Sequence, residues 1–389
     1  MVPITQPGVL CTRAFFWPES CGGSHSGGIM AGLQPPLTRH LPMASSPSWP
    51  ALLEQLLAGH SLTAEQAEGL MRGWLAGEIE PVLTGALLAA LRAKGVSGEE
   101  LAAMATVLRQ ATTLPGPRPA MALVDTCGTG GDGADSFNIS TAVAFVAAAC
   151  GATVAKHGNR SASGKVGSAD VLEALGVHLQ APPEQVVAAL PQAGLTFLFA
   201  PGWHPALVGL APLRRSLGVR TVFNLLGPLV NPLGPEAQVL GVARADLLDP
   251  MADALARLGL RRGLVVHGAG GLDEASLAGP SELRLVEQGS VRADRLEPGS
   301  LGLAEAPISA LAGGDLATNA AILEAVLQGR GTPAQRDVVA LNTALVLWAA
   351  ERAGTIAEGL DSARAALAAG LGWQRLEQLR QALPQPAAG

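Results

Sequence analysis

The sequence predicts an α/β protein in which a small N-terminal helical domain precedes a larger α/β domain with a central, mostly parallel sheet. Two observations predict this architecture. Residues from 49 to about 112 show helical periodicity and helix-start signals. Beyond them, strand-like runs such as "LTFLFA", "QVLGVA" and "GLVVHG" alternate with helix-like runs such as "DVLEALG" and "DPMADALARLG". Such alternation is typical of parallel strands that are covered by helices.

The helical part carries start and stop signals at fixed spacings. Thr63 to Gln66 and Ser97 to Glu100 both fit a capping box, in which two side chains satisfy free amides at a helix start. In "EPVLTGALLAALRAKG", Pro81 suits a first helical turn and a glycine follows the last one. These signals predict three or four short helices, and the Pro-rich "LPGPRPA" after them predicts a linker.

Composition excludes several classes of function. The chain has 389 residues, enough for two domains, and its 26 basic and 32 acidic residues give a net charge of -6. This balance argues against a nucleic-acid-binding protein, which carries a basic surface. No apolar run approaches the roughly 18 residues of a membrane span. The four cysteines have neither metal-ligand spacing nor the density of a disulfide framework, so we expect a cytoplasmic protein.

The first 48 residues differ from the rest of the chain, since they are rich in Gly, Pro and Ser and have no sustained periodicity. Two interpretations stay open: a plastid or other organellar transit peptide, or a translation start placed too early, with Met43 as the true start. We expect a chain that begins at Met43 to keep its fold and activity. The predicted organisation is a disordered extension (1–48), a helical domain (49–118, with part of 203–219 as a candidate addition) and an α/β domain (119–384).

A glycine-rich stretch, "CGTGGDGADSFNIST", lies between a predicted strand end, "ALVD", and a predicted apolar helix, "STAVAFVAAACG". The free amides of such a loop can converge on an anion, and the helix N-terminus adds positive potential. Gly128, Gly130 and Gly133 match G-x-G-x-x-G, but a dinucleotide-binding helix opens within that motif, whereas "ADSFN" intervenes here. We therefore predict a different anion; a flexible turn is the alternative, although a turn needs fewer glycines.

A second polar stretch, "KHGNRSASGKVGSADVLEALG", begins at the end of the next predicted strand, "ATVAKHG". Lys156 and His157 close this strand, at the edge where open α/β sheets bind ligands. Asn159, Arg160 and several serines follow, with glycines between them. A solvated basic loop is the alternative. Because neighbouring parallel strands end at the same edge, we expect both loops to wrap one anionic ligand.

These two stretches, together with "RRSLGVRTVFNLLGPLVNP" and "GLDE", resemble the motifs of the anthranilate phosphoribosyltransferases over about residues 50 to 380. The resemblance implies a nucleoside phosphorylase/phosphoribosyltransferase-like fold and a homodimer formed through the helical domain. It implies transfer of the phosphoribosyl group of 5-phosphoribosyl 1-pyrophosphate (PRPP) to the amine of anthranilate, with release of pyrophosphate, which is the second step from chorismate in tryptophan biosynthesis. It also implies two Mg²⁺ ions per monomer and an association with anthranilate synthase.

The resemblance assigns site residues by their positions in the motifs. Those that match PRPP contacts are Gly128, Gly131, Asp132, Ser136, Asn138, Ile139, Ser140, Thr141, Lys156, His157, Gly158, Asn159, Arg160, Ser161, Ala162, Ser163, Gly164 and Ser168. Those that match anthranilate contacts are Asn159, Arg214, Gly227 and Pro228, with Arg214 facing the carboxylate. Those that match Mg²⁺ ligands are Ser140, Asp273 and Glu274. Gly164 stands where the family has a second adjacent serine, so one hydroxyl contact is missing.

The residue types also suit this chemistry on their own. Displacement at an anomeric carbon requires stabilisation of the departing pyrophosphate, which amides, Lys156 and Mg²⁺ can supply. The amine is already nucleophilic, so no strong base is essential. We assign catalytic roles to Lys156, His157 and Arg214, and leave open whether His157 accepts the amine proton or only orients the ring.

Two other functions stay open. A pyrimidine nucleoside phosphorylase has the same architecture, although "GTGGDG" with "KHGNR" favours the transferase. A non-catalytic relative that binds nucleic acid would need a basic groove, whereas this chain is acidic and keeps Asp273 and Glu274.

A cluster of leucines in the helical domain bears on assembly. Leu83, Leu87, Leu88 and Leu91 lie close together on one predicted helix, so we expect an exposed apolar face that a second chain covers. The alternative is that the α/β domain covers this face within one chain.

Overall fold

The computed structural model describes residues 48–160 and 166–385. Of the predicted N-terminal extension only Ser48 is described, and Met43 lies outside the described residues. Four short helices come first: α1 (Trp49–Leu57), α2 (Ala64–Ala76), α3 (Pro81–Lys94) and α4 (Gly98–Gln110). Both predicted capping boxes are present, at the starts of α2 and α4. Residues 111–122, which include the predicted linker, connect α4 to the first strand.

The strands that follow are β1 (Leu123–Gly128), β2 (Thr153–Gly158), β3 (Leu195–Phe199), β4 (Ala237–Gly241), β5 (Arg262–His267), β6 (Ser281–Glu287) and β7 (Ser290–Leu296). Within the described ranges they form one sheet in the order β3-β2-β1-β4-β5-β6-β7. The pairs from β3 to β5 are parallel, whereas β6 and β7 add antiparallel strands at one edge. The predicted mostly parallel sheet is confirmed.

The other described helices lie between and after the strands in the chain. They are α5 (Ile139–Ala149), α6 (Ser168–Ala174), α7 (Pro183–Ala193), α8 (Ala200–Trp203), α9 (Ala211–Leu217), α10 (Phe223–Leu226), α11 (Leu248–Arg257), α12 (Leu316–Leu327), α13 (Pro333–Ala349), α14 (Ile356–Ala368) and α15 (Leu371–Ala382). The apolar α5 directly follows the glycine-rich loop and is buried along most of its length. Of the helices described, none combines the length and the hydropathy needed to cross a membrane.

Two clusters of buried apolar side chains stabilise the described part of the chain. One joins the sheet to α5 and α12–α15, and the other joins the helical bundle to α11, β4 and β5. Leu87, Leu88 and Leu91 are fully buried in the second cluster, and Leu83 packs against it. The prediction that these leucines form an exposed apolar face is therefore wrong, because their side chains pack into the apolar cluster of the helical bundle, where α3 lies against α1 and α9.

The segment around residues 203–219 lies beside the helical bundle. It contains α8, a 3₁₀ helix (Pro205–Leu210) and α9. Leu207, Leu210, Leu213 and Leu217 pack against the bundle's apolar cluster. The predicted domain boundaries stay a prediction, and this packing places the segment against the helical bundle.

Candidate active site

The two glycine-bearing loops and the loop after β5 meet at the carboxyl edge of the sheet. β1 and β2 are adjacent parallel strands, and β5 lies two positions further along the sheet. β1 runs to Gly128, beyond the predicted strand end at Asp125, because it keeps pairing with β4 as far as Gly241. A cavity of about 360 Å³ opens at this edge. It occupies the position where open parallel sheets bind ligands.

Most of the predicted site residues line this active-site cavity. They are Gly128, Gly131, Ser136, Asn138, Ile139, Ser140, Thr141, Lys156, His157, Gly158, Asn159, Arg160, Ser168, Arg214, Asp273 and Glu274. Asp132 lies beside the acidic pair, while Gly227 lies behind His157 and Pro228 is buried. Ser161, Ala162, Ser163 and Gly164 lie outside the described residues.

The glycine-rich loop packs tightly against the acidic loop after β5. A Cβ atom at Gly128 would overlap the carboxylate of Asp273, so only glycine fits there. The backbone N–H of Gly130 donates to Oδ2 of Asp273 at 2.7 Å. Gly130 and Gly131 have φ angles of 65° and 79°, which glycine adopts without strain. This packing brings the glycine-rich loop and the acidic residues together at one wall of the cavity.

The start of α5 presents polar atoms that lack a protein partner. Asn138 precedes the helix, and its Nδ2 donates to the carbonyl of Val166 at 3.1 Å. Asn138 Oδ1 and Thr141 Oγ1 are buried and make no hydrogen bond with the described residues. Buried polar groups are normally paired, so these two atoms point to a ligand. The N-terminus of an 11-residue helix adds positive potential for an anion.

Lys156 is buried at the base of the cavity. Its Nζ donates to the carbonyl of Thr126 at 2.7 Å and to Ser140 Oγ at 3.2 Å. Burial lowers the pKa of Lys156, while the negative charges of Asp125 and Glu274 act to raise it. The ammonium group therefore lies where it can neutralise an anion that reaches the start of α5.

Asp125 is a functional-site residue that the sequence reasoning missed. Its Oδ1 accepts from the backbone N–H groups of Thr126 (2.8 Å) and His157 (3.2 Å), and its Oδ2 accepts from Asn231 Nδ2 (2.9 Å). Burial raises its pKa to about 6, although Lys156 and these hydrogen bonds act to lower it. The carboxylate thus ties the ends of β1 and β2 together beneath the site.

The tautomer of His157 follows from its partner. Nδ1 lies 3.1 Å from the carbonyl oxygen of Gly227, which can only accept, so the proton is on Nδ1 and Nε2 is an acceptor. Nε2 is buried without a hydrogen-bond partner among the described residues. Burial lowers the pKa of His157 to about 3, and the neighbouring His204, whose ring lies 5.3 Å away, lowers it further. The imidazole is therefore neutral at physiological pH.

Asp132, Asp273 and Glu274 form an acidic group with carboxylate oxygens within 4.8 Å of one another. Burial and the charge of Asp273 raise the pKa of Asp132 to about 6, and the same causes raise the pKa of Glu274 well above its ordinary value. Glu274 Oε2 is buried and has no hydrogen-bond partner in the described ranges. Oxygen ligands in this arrangement fit Mg²⁺, which would remove their mutual repulsion.

Arginines line the remaining walls. Arg214 lies over the ring of Phe223, with Cζ 5.2 Å from the ring centre, and burial lowers its pKa. Arg160 instead pairs with Asp170 (2.6 Å) and Glu173 (2.8 Å) of α6. A third arginine was missed by the sequence reasoning. Arg220 lines the cavity and donates to the carbonyl of Thr129; its place in the same "RRSLGVRTVFN" stretch was the available signal.

Family models match both parts of this architecture. The model described as glycosyl transferase family, helical bundle domain, matches residues 50–112, and that described as glycosyl transferase family, a/b domain, matches residues 120–372. The fold and the site thus define a glycosyl transferase with a helical bundle and an α/β domain.

Curated relatives and solved structures narrow the class. The anthranilate phosphoribosyltransferase of Synechococcus sp. (strain CC9311) is 68% identical over 341 residues, covering 88% of this chain and 98% of the relative. The anthranilate phosphoribosyltransferase of Parasynechococcus marenigrum (strain WH8102) is 69% identical over 339 residues, which cover 87% of this chain and 97% of the relative. The chain belongs to the anthranilate phosphoribosyltransferase family.

The solved structures agree with this membership. The crystal structure of the Thermus thermophilus enzyme superposes with a TM-score of 0.79 at 46% identity, covering 86% of this chain and 99% of that one. The Saccharomyces cerevisiae enzyme in complex with PRPP and Mg superposes with a TM-score of 0.78 at 26% identity, and the match covers 86% of this chain and 97% of that one.

Proposed function

We propose that this enzyme transfers the phosphoribosyl group of PRPP to the amine of anthranilate in tryptophan biosynthesis, with Mg²⁺ as cofactor. The observation that carries the proposal is the composition of one cavity. One part of the cavity lining consists of glycine amides, the N-terminus of α5, Lys156 and the acidic group of Asp132, Asp273 and Glu274. These groups suit a pyrophosphate with a metal ion. The other part offers a neutral imidazole and a guanidinium beside Phe223, which suit an aromatic amine that bears a carboxylate.

The PRPP side contains donors in several directions. We assign the pyrophosphate and ribose phosphate to the loop from Gly128 to Thr141 and to the segment from Lys156 to Ser168. The unpartnered Asn138 Oδ1 and Thr141 Oγ1 support this assignment, since a bound ribose or phosphate would satisfy them. The described part of the second loop keeps Asn159 near this side, where its carbonyl accepts from Ser168 Oγ at 3.3 Å.

We propose two Mg²⁺ positions per chain. One is the acidic group of Asp132, Asp273 and Glu274, and the other is at Ser140, whose hydroxyl lies at the start of α5. The unpartnered Glu274 Oε2 and the mutual repulsion of the carboxylates support the first position. When bound, Mg²⁺ supplies positive charge that favours departure of the pyrophosphate.

Arg214 is proposed to bind the carboxylate of anthranilate. The guanidinium makes no ion pair with an acidic side chain within the described ranges, so both of its donor edges are available. A planar fork matches a carboxylate with two parallel hydrogen bonds. Stacking on Phe223 holds the fork in one plane, which orients the substrate ring.

His157 is proposed to orient the amine rather than to act as a strong base. Its Nε2 is an unprotonated acceptor, so it can take a hydrogen bond from an N–H of the amine. A pKa of about 3 makes the imidazole a weak base near neutral pH. The amine nitrogen bonds to C1 of the ribose as the bond from C1 to the pyrophosphate oxygen breaks, and one amine proton then leaves.

The direct test follows the fluorescence of anthranilate as it is consumed. We expect consumption only when the protein, PRPP and Mg²⁺ are all present. A parallel reaction with uridine or thymidine and inorganic phosphate tests nucleoside phosphorylase activity in the same cavity. Phosphorolysis of the nucleoside without consumption of anthranilate would refute the proposed function and indicate a nucleoside phosphorylase instead.

We also propose a homodimer formed through the helical domain, although not through the predicted leucines. Val82 on α3 is 87% exposed, and a cavity of about 770 Å³ beside it is lined mainly by apolar side chains of α2, α3 and α9. A second chain that covers this surface would bury it. Light scattering should give a dimer mass, and Val82→Asp should give a monomer, whereas Val291→Asp, at an exposed position of β7, should not. Association with anthranilate synthase and a cytoplasmic location stay predictions.

A further inference from the structure

A second cavity, of about 560 Å³, lies between the helical bundle and the α/β domain. We call it the interdomain cavity; the end of α3, the turn before α4, the glycine-rich loop and the loop after β4 line it. Thr129, Gly130, Gly131, Arg220 and Asn224 line both this cavity and the active-site cavity. The glycine-rich turn, Arg220 and Asn224 therefore lie between the two cavities.

The interdomain cavity carries an excess of positive charge. Its lining includes Arg92, Lys94, Arg220 and Arg244, against a single acid, Asp246. Two of these cations have carboxylate partners, since Lys94 pairs with the buried Glu100 at 2.9 Å and Arg244 pairs with Asp246. The remaining two guanidinium groups are not neutralised from within this cavity.

Arg92 and Arg220 are close enough to repel each other. Burial lowers the pKa of Arg220, the charges of Asp273 and Asp132 on the active-site side act to raise it, and the nearby charge of Arg92 acts to lower it. The Arg92 side chain makes no ion pair or hydrogen bond with any residue that the structure describes. The Arg220 guanidinium lies against Gly131, where a Cβ atom would be 2.7 Å from its Cζ. Two adjacent guanidinium groups are stabilised when an anion with several oxygens lies between them.

Thr221 supplies an independent indication of a ligand. It lines the interdomain cavity, it is only 4% exposed, and its Oγ1 is buried without a hydrogen-bond partner in the described chain. A buried hydroxyl without a partner is unfavourable and is normally satisfied. A ligand oxygen in the cavity would accept a hydrogen bond from it.

We propose that the interdomain cavity is an anion site that receives pyrophosphate as it leaves the active-site cavity, with Arg92, Arg220 and Thr221 as its ligands. This inference rests on the proposed function, because pyrophosphate is the leaving group of that reaction. A diphosphate matches two arginine forks better than a single phosphate does. Arg220 lines both cavities, so it can contact the anion before and after the transfer between them.

The test titrates inorganic pyrophosphate into the protein by calorimetry, with PRPP and free Mg²⁺ held at saturation and anthranilate absent, so that the active-site cavity is already filled. We expect one further pyrophosphate to bind per chain. Arg92→Gln should weaken this binding about tenfold or more, since it removes a charged hydrogen-bond donor. Thr221→Val, which keeps the side-chain shape, should weaken it by a smaller factor. Arg72→Gln, on the exposed side of α2, should not change it.

Three results would overturn the proposal: no pyrophosphate binding to the PRPP-saturated wild type, unchanged binding in both Arg92→Gln and Thr221→Val, or equal affinity for inorganic phosphate. Melting temperatures show whether each variant is folded. The absence of any PRPP binding would contradict the proposed function instead. Pyrophosphate titrated into the protein alone would then still test this cavity through its dependence on Arg92.

Discussion

Replacement of Glu274 by glutamine should make the Mg²⁺-free protein more stable and much less active. The carboxyl oxygens of Asp132, Asp273 and Glu274 lie within 4.8 Å of one another, and burial raises the pKa of Glu274 well above its ordinary value. A carboxyl group whose pKa is raised by folding weakens the fold at every pH above its unfolded-state pKa. At pH 7.5 this penalty is present in the wild type without Mg²⁺, and an amide removes it.

The size of the effect follows from the geometry. Two unit charges 4.8 Å apart repel by about 3.5 kcal/mol at an effective dielectric constant of about 20. Asp132 is partly exposed, so solvent screening reduces the gain from Glu274→Gln to about 1–2 kcal/mol. Such a gain corresponds to a rise in melting temperature of roughly 2–4 °C. Loss of a metal ligand should lower turnover by about a hundredfold or more.

Differential scanning fluorimetry at pH 7.5, with and without Mg²⁺, measures the stability, and anthranilate consumption at saturating substrates measures the turnover. Mg²⁺ should raise the melting temperature of the wild type and leave that of the variant nearly unchanged. Glu282→Gln on β6 is the control, and Asp273→Asn should lower turnover as Glu274→Gln does. A variant that is less stable than the wild type without Mg²⁺, or that turns over within a few-fold of it, would refute the reasoning.

Three further predictions concern neighbouring parts of the site. Gly241→Ala should push the acidic loop outward, because the new Cβ would overlap the carbonyl oxygen of Asp273, and it should raise the Mg²⁺ concentration for half-maximal activity about tenfold. Gly202→Ala is the control, because open space surrounds that position. The same Mg²⁺ requirement in Gly241→Ala and Gly202→Ala would contradict the role of this contact. Arg214→Ala should raise the KM for anthranilate far more than that for PRPP, whereas Arg215→Ala should change neither; equal increases would exclude the carboxylate role. Because burial holds the pKa of His157 at about 3, the pH profile of kcat/KM should show no inflection near pH 6.5 from this group. An inflection near pH 6.5 that His157→Asn abolishes would contradict a neutral His157.

Local signals in the sequence were sufficient to predict the elements that frame the site. Both capping boxes depend on side chains three residues apart, and both are present. The loops after β1 and β2 were predicted to share one sheet edge because consecutive strands of an alternating pattern pair in parallel, and they do so. Predictions of this kind succeed where the interactions that determine an element lie within one helical turn or one strand.

Contacts between distant residues could not be predicted in this way. Asp125 was interpreted only as the end of a strand, because nothing near it in the sequence distinguishes it from a turn aspartate. Its role depends on Asn231, 106 residues away, and on burial by both neighbouring strands. The leucines of α3 were misassigned for the same reason, since their periodicity gives an apolar face without saying which element covers it.

The glycine-rich loop depends both on local backbone conformation and on contacts with distant residues. Tertiary contacts require two of its glycines, and of these two only Gly128 belongs to the G-x-G-x-x-G match. Gly128 leaves room for the carboxylate of Asp273, and Gly131 leaves room for the guanidinium of Arg220 while holding a φ angle of 79°. The absence of side chains at these two glycines thus lets the acidic loop and Arg220 both pack closely against this turn. The active-site cavity, the acidic group of Asp132, Asp273 and Glu274, and the interdomain cavity all adjoin this turn, so its glycines are explained by the close approach of neighbouring groups as well as by the proposed anion.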